Sequence, residues 1–197
     1  MNLKQNKILT LAIIEEFNPE SQYLTDDEDI ANRLNAIYNA CLTNIARLKK
    51  IERIYEFDGR TESATDLYEE FDMPDDCYLI RDIIIQDDET KSIKINQSDW
   101  YRLEDRIYIN AKVKGTAILR YYAYPTEIDQ NENDEDYEFE IDRDIQYLLP
   151  YAVASDILKS DRSVDYTAYE NKYRTELTSL YLNKEEMQVF INTDNLI

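Results

Sequence analysis

A run of apolar residues at helical spacing, Ile30, Leu34, Ile37, Cys41, Leu42, Ile45 and Leu48, constrains this chain more than any other feature. Steps of three and four place all seven on one side of an α-helix, and a helix with a single apolar stripe must bury it against another element. The run is bounded at both ends. Thr25-Asp26-Asp27-Glu28 ahead of it has the pattern of a capping box, in which side chains satisfy the amides that the first helical turn leaves open. Arg47, Lys49 and Lys50 at the far end complement the negative end of the helix dipole. Residues 3–17 predict a shorter amphipathic helix ended by Asn18 and Pro19, so the chain opens as a helix pair.

Between residues 78 and 124 the period changes. β-branched and aromatic residues come in short runs separated by turn-formers, which predicts strands over 78–86, 92–96, 100–103, 106–110 and 116–124. Asp87-Asp88-Glu89 and Glu104-Asp105 are the expected turns. In the last strand, Ala117, Leu119, Tyr121 and Ala123 share one face, and Ile118, Arg120, Tyr122 and Tyr124 the other, before Pro125 closes it.

Residues 127–144 hold the densest acidic stretch, and self-repulsion predicts an extended loop there. Helices then return. Ile145, Leu148, Leu149, Ala152, Val153 and Ile157 mark a helical face interrupted by Pro150, which either kinks that helix or sits in the first turn of a new one. A last helix over 163–182 carries Tyr169, Tyr173, Leu177 and Tyr181 at four-residue spacing, an edge expected to pack on the first helices. Residues 183–197 have no helical stripe and contain the β-prone Val189-Phe190-Ile191, which reads as a tail.

The expected architecture is therefore α+β: a helical bundle of N- and C-terminal helices with an inserted antiparallel β region and an extended C-terminal tail. The boundaries are 1–182 for one body (1–55 helical, 66–125 the β insert, 142–182 helical) and 183–197 for the tail. With 197 residues, one core is the first expectation, and the chain has only 2 glycines and no Gly/Ser linker.

Composition narrows function. The formal charge is -20, from 42 acids against 22 bases, which disfavours direct contact with nucleic-acid phosphates or anionic lipid. There is no histidine, which removes the usual general base near neutral pH and the commonest metal ligand. Cys41 and Cys77 are too few for a disulfide framework and fit a reducing compartment, with Cys41 on the apolar helix face. The apolar run at residues 9–14 is cut off by Glu15 and Glu16 before it reaches the length of an export signal or a membrane span.

Asp26-Asp27-Glu28, Asp87-Asp88-Glu89 and Asp134-Glu135-Asp136 are the acidic clusters to weigh as metal sites, and none has ligand spacing. Neither a phosphate-binding loop nor a dinucleotide-binding glycine pattern occurs. No residue is assigned to catalysis, to a cofactor or to a metal, and the chain is expected not to be an enzyme. The 17 tyrosines offer rigid contact area with a polar tip. Tyr121, Tyr122 and Tyr124 are read as strand residues and Trp100 as a core anchor, while Tyr166, Tyr169, Tyr173 and Tyr181 are balanced between core and subunit contact.

The order of segments carries a resemblance. A helix pair comes first, then a β region ending in Arg-Ile-Tyr-Ile (106–109) and Leu-Arg-Tyr-Tyr-Ala-Tyr-Pro (119–125). Leu-Leu-Pro-Tyr-Ala-Val-Ala-Ser-Asp-Ile-Leu-Lys-Ser-Asp (148–161) and a Tyr-rich last helix follow. Over most of residues 5–182 this resembles the head-to-tail connector, or adaptor, proteins of tailed bacteriophages, departing at Glu104-Asp105, where the family's turn would hold a glycine. The resemblance implies a non-enzymatic virion protein of the neck, made in the host cytoplasm. It would form a ring, commonly dodecameric, between the capsid portal and the tail, with DNA passing through the lumen and no membrane involved. Asp134, Glu135, Asp136 and Glu138 would then either line a phosphate-repelling channel or solvate the outer surface. The tail, through Val189, Phe190 and Ile191, would dock to the portal or to a neighbour by adding a strand. The alternatives are a soluble acidic module that mimics DNA in a basic partner's groove, and an acid-only hydrolase.

Overall fold

In a computed structural model of the chain, residues 1–57, 67–86, 92–129, 136–159 and 165–193 are described, with side chains described as far as residue 180. Helix α1, Leu3–Ile13, begins with a capping box in which the Asn2 side chain accepts from the Gln5 amide and the Gln5 side chain accepts from the Asn2 amide. It stops before Asn18 and Pro19. Glu15 takes a left-handed conformation (φ 63), and the Glu16 and Glu15 amides donate back to the Leu11 and Ala12 carbonyls, the paired bonds of a Schellman motif.

Helix α2, Glu28–Lys49, forms as the stripe requires. Its cap is Asp27 rather than Thr25: the Asp27 carboxylate accepts from the amides of Asp29 and Ile30, while Thr25 Oγ1 accepts only from the Asp27 amide. Ile30, Leu34, Cys41, Leu42 and Ile45 are buried, but Leu48 is exposed. The stripe also omits Tyr38, which is fully buried. Because Thr10 Oγ1 donates to the Asn6 carbonyl, the Tyr38 hydroxyl is the donor in its 2.6 Å bond to Thr10. That bond satisfies the one polar atom that would have argued against burying the ring.

The chain separates into two compact units, residues 1–45 with 127–197 and residues 46–126. In the first, α1 and α2 share a core with Tyr137, Ile141, α3 (Arg143–Gln146), α4 (Leu149–Leu158) and α5 (Thr167–Thr193). Pro150 lies in the first turn of α4, where a missing amide costs nothing. Leu177 is buried, Tyr173 and Leu180 pack on the same core, and the Tyr169 hydroxyl donates to the Ile13 carbonyl.

The second unit holds seven strands among the described residues. Strands β1 (Ile51–Phe57), β7 (Thr116–Ala123), β3 (Cys77–Gln86) and β4 (Ser92–Lys94) form one antiparallel sheet in the order β1-β7-β3-β4. Strands β2 (Tyr68–Asp72), β6 (Arg106–Asn110) and β5 (Trp100–Leu103) form a second, in the order β2-β6-β5. Their inner faces make a separate core of Phe57, Ile83, Ile85, Ile107, Ile109, Ala117, Leu119, Tyr121 and Ala123, with Phe57 and Phe71 at 4.8 Å between ring centroids.

This overturns the expected helical bundle with an inserted β region and an extended tail. The protein is mixed α+β, and its two antiparallel sheets bury their own core instead of decorating a helical one. Two physical causes account for the error. The helical segment expected over residues 1–55 ends sooner: Lys50 turns left-handed (φ 52) with its amide on the Ala46 carbonyl, which closes α2 and lets β1 start at Ile51. The sheet-bearing unit therefore opens at residue 46, not 66. Residues 183–193, read as tail for want of a stripe, are helical as the last turns of α5.

The turn at Glu104-Asp105 is also resolved. Leu103 pairs with Arg106, leaving a two-residue hairpin loop, and of its two residues only Glu104 has positive φ (54), the pattern of a type II′ turn that favours glycine at this position. Gly115 at φ 111 is different in kind: a Cβ there would stand 2.6 Å from the Gln86 carbonyl oxygen. Glu104→Gly should raise the unfolding free energy by about 0.5–1 kcal/mol, whereas Gly115→Ala should lower it by about 2 kcal/mol or more. Urea unfolding of both variants checks this, and a Gly115→Ala protein as stable as the parent would contradict it.

Candidate functional site

The outer face of the four-stranded sheet gathers groups that are far apart in the chain. Antiparallel register sets Glu52 opposite Tyr122, Ile54 opposite Arg120, and Arg120 opposite Asp82, with Lys94 opposite Ile84 at the β4 edge. Asp82 is the buried acid of this face at 5% exposure, and its carboxylate takes both Arg120 Nε and Nη2 at 2.6 Å, with Lys94 Nζ at 3.3 Å. Hydrogen bonds from Arg120 hold that carboxyl below the ordinary carboxylate range, against the opposing effect of burial and with help from Lys94. Arg81 Nη1 meets Glu52 at 2.5 Å beside it.

At the end of this face nearest Ala46 the cations meet aromatic rings. Tyr78 lies 6.4 Å from Tyr122 and 5.1 Å from Tyr124 between centroids, and its hydroxyl donates to the Ala46 carbonyl. The Lys50 ammonium sits 4.9 Å from the Tyr122 ring centre and the Arg47 guanidinium 5.8 Å from that of Tyr124. Ile54 (71%) and Leu79 (47%) are exposed on the same face. Among the described residues of this face, Arg47, Lys50, Arg81, Lys94 and Arg120 outnumber Glu52, Glu56 and Asp82, which makes the described face locally cationic and part-apolar in a chain of formal charge -20.

Charge is also divided unevenly between the two units, each taken by itself. Residues 46–126 contain 13 bases and 17 acids, and the rest of the chain 9 bases and 25 acids. The helical unit therefore holds most of the negative charge. Its acids are ordered along one described stretch: Asp136, Glu138, Glu140 and Asp142 are exposed, while Tyr137 and Ile141 between them are buried and Phe139 packs on the core. Alternation of this kind drives every second side chain inward by burial and leaves a row of carboxylates outside. Asp136 and Glu138 also border an open cleft of about 520 Å³ lined by Met1, Asn2, Tyr137, Phe139 and Gln146.

Among the residues singled out from sequence, Asp134 and Glu135 lie outside the described residues, as do Asp87, Asp88 and Glu89. Tyr166 is half-buried with Lys159 Nζ 5.9 Å from its ring centre, and Tyr169 and Tyr173 are engaged within the helical unit as above. Tyr181, Val189, Phe190 and Ile191 lie on the helical backbone of α5, with side chains outside the description. Trp100 packs on the sheet core. Among the described residues no group of three or more His, Cys, Asp or Glu could hold a metal, and no helix is long and apolar enough to cross a membrane.

Burial and the nearby Asp156 carboxylate push the Cys41 thiol up to about 12, and its Sγ donates to Asp156 Oδ2 at 3.7 Å. No protein-family model matches the sequence, and comparison with curated proteins finds no match.

Two outcomes follow from these environments. A group whose folded pKa is depressed stabilises above its unfolded pKa and loses that contribution as pH falls through the folded value. Asp82→Asn should therefore cost about 1–3 kcal/mol near neutral pH, with the gap to the parent closing as pH drops below about 4. A gap that stayed constant in acid-series unfolding would contradict a depressed Asp82. Cys41 should resist alkylation at about pH 8 in the native state while half-buried Cys77 reacts; equal labelling of the two by mass spectrometry would mean that the helical core opens.

Proposed function

We propose that the protein is a structural subunit of the neck of a tailed bacteriophage, a head-to-tail connector that assembles as a ring between portal and tail. The observation that carries this reading is the segment order quoted above. Two of the runs that make up the resemblance supply core of the sheet unit, through Ile107, Ile109, Leu119, Tyr121 and Ala123. The third supplies core of the helical unit, through Leu148, Leu149, Ala152, Val153 and Ile157. Runs of this kind build a body whose function is proposed to reside in its outer faces.

Chemistry on those faces supports docking over turnover. The largest polar cluster of the sheet face, Arg120–Asp82–Lys94, is internally paired. Exposed Ile54 and Leu79 offer apolar area beside it. In a ring the acids add up, and those not engaged between copies are proposed to repel phosphate at the lumen wall, so that DNA slides without adhering. The C-terminal stretch of α5, with Val189, Phe190 and Ile191, is proposed to dock to the portal.

The concentration of acids on the helical unit favours a second reading, a nucleic-acid mimic that fills a basic partner's groove. Such a mimic stays small and binds its partner with steep salt dependence. Mixing the purified protein with its portal and imaging the product distinguishes the two. The expected product is a ring of this chain seated on the portal, with assembly weakened by deletion of residues 183–197. A chain that joins no multi-subunit particle when offered every neck component, or that turns over a substrate, would overturn the proposal.

A further inference from the structure

We infer that the cationic outer face of the four-stranded sheet in one copy docks the acidic row at residues 136–142 of a second copy. The inference rests on the assembly reading for the identity of its occupant. A molecule of formal charge -20 repels its own kind at long range, so any contact between copies must form where the local charge is opposite on the two sides. Two patches meet this condition. Arg81, Lys94 and Arg120 lie on neighbouring strands of the sheet face with Arg47 and Lys50 at its end, and Asp136, Glu138, Glu140 and Asp142 form an exposed row of the helical unit.

Cations stand on three neighbouring strands, Arg120 on β7, Arg81 on β3 and Lys94 on β4, about 4.8 Å apart from strand to strand, so a run of carboxylates laid across them meets more than one cation. Ile54 and Leu79, exposed between the charges, gain a neighbour and lose water. Tyr122 holds Lys50 and Tyr124 holds Arg47 over its ring, with Tyr78 packed beside both tyrosines, which limits the side-chain freedom that docking would remove. A contact between unlike patches is heterologous, and repeated from copy to copy it closes into a ring or grows as a filament, whereas a twofold contact stops at a dimer.

The test uses the full chain without any portal, by sedimentation velocity over a concentration series at about 0.15 M salt, where charges more than about 8 Å apart are screened while contact pairs still act. Association of the parent chain is expected, with a tenfold or greater loss in the double variant Arg47→Glu/Lys50→Glu. Glu138→Lys/Glu140→Lys is the decisive counterpart, because it lowers the net negative charge. If repulsion alone governed association this variant would associate more tightly than the parent, whereas the docking proposed here makes it associate at least tenfold less. Mixed together, the two variants should form hetero-oligomers more tightly than either forms homo-oligomers. A mixture no tighter than its components, an acid-row variant as associative as the parent, or a parent that stays monomeric throughout would overturn the inference; circular dichroism checks that each variant is folded. Association in this assay with failure on the portal would leave the copy contact standing and remove the connector reading, and the reverse result would do the opposite.

Discussion

Where the carboxylates go is the constraint on which the rest of this structure depends. With 42 acids against 22 bases, the chain can form a core only if nearly every acid is kept at the surface or paired. The structure meets the demand in different ways in its two units. In the helical unit, acids sit at the α2 N-terminus, where Asp27 caps the helix and Glu28 and Asp29 face its positive end, and along 136–142, where alternation with Tyr137, Phe139 and Ile141 turns them outward. In the sheet unit the bases are numerous enough to pair. Arg106 reaches Glu70, Arg53 reaches Asp76, and Arg120 allows Asp82 to lie buried between strands.

A second constraint is the shortage of glycine. Glu15, Leu24, Lys50 and Glu104 adopt left-handed backbone, a conformation that usually selects glycine because a Cβ crowds the following carbonyl. At Glu15 and Lys50 the conformation ends a helix by satisfying carbonyls that would otherwise be open. These two stops explain much of what could not be read in the sequence. Arg47, Lys49 and Lys50 mark the end of α2 by charge, but without a glycine at position 50 nothing in the sequence announces that the chain passes there directly into β1.

What was legible followed from strong periodicity. The α2 stripe, strands β3 to β7 and the start of α4 at Pro150 were readable because period and punctuation agreed. Tyr38 was not, since its burial depends on Thr10, 28 positions away. The end of α5 was not, since a segment without an apolar stripe gives no sign of continuing a helix. The cationic face was least legible of all. Its members come from the end of one helix and from three strands, and only the register that puts Arg120 between Ile54 and Asp82 makes them one surface. A sequence of net charge -20 hides a positive patch, because the sum is taken over residues that never share a face.

That concealment bears on how an acidic chain can build an assembly. Uniform negative charge would keep copies apart at any concentration, while uniform apolar contacts would aggregate them without order. Segregating charge, with bases collected on a sheet face and acids aligned on a helical unit, would favour some relative orientations of two copies over others, as the proposed docking requires. Tyrosine fits the same logic. Tyr78, Tyr122 and Tyr124 enlarge the sheet surface without adding charge, and Tyr122 and Tyr124 carry the flanking cations Lys50 and Arg47 over their rings, so the face joins apolar area to polar groups compatible with solvent. The sheet core beneath does the remaining work: with Ile83, Leu119 and Ala117 fully buried, the strands that carry Asp82 and Arg120 are fixed in register, and the surface they present has one arrangement.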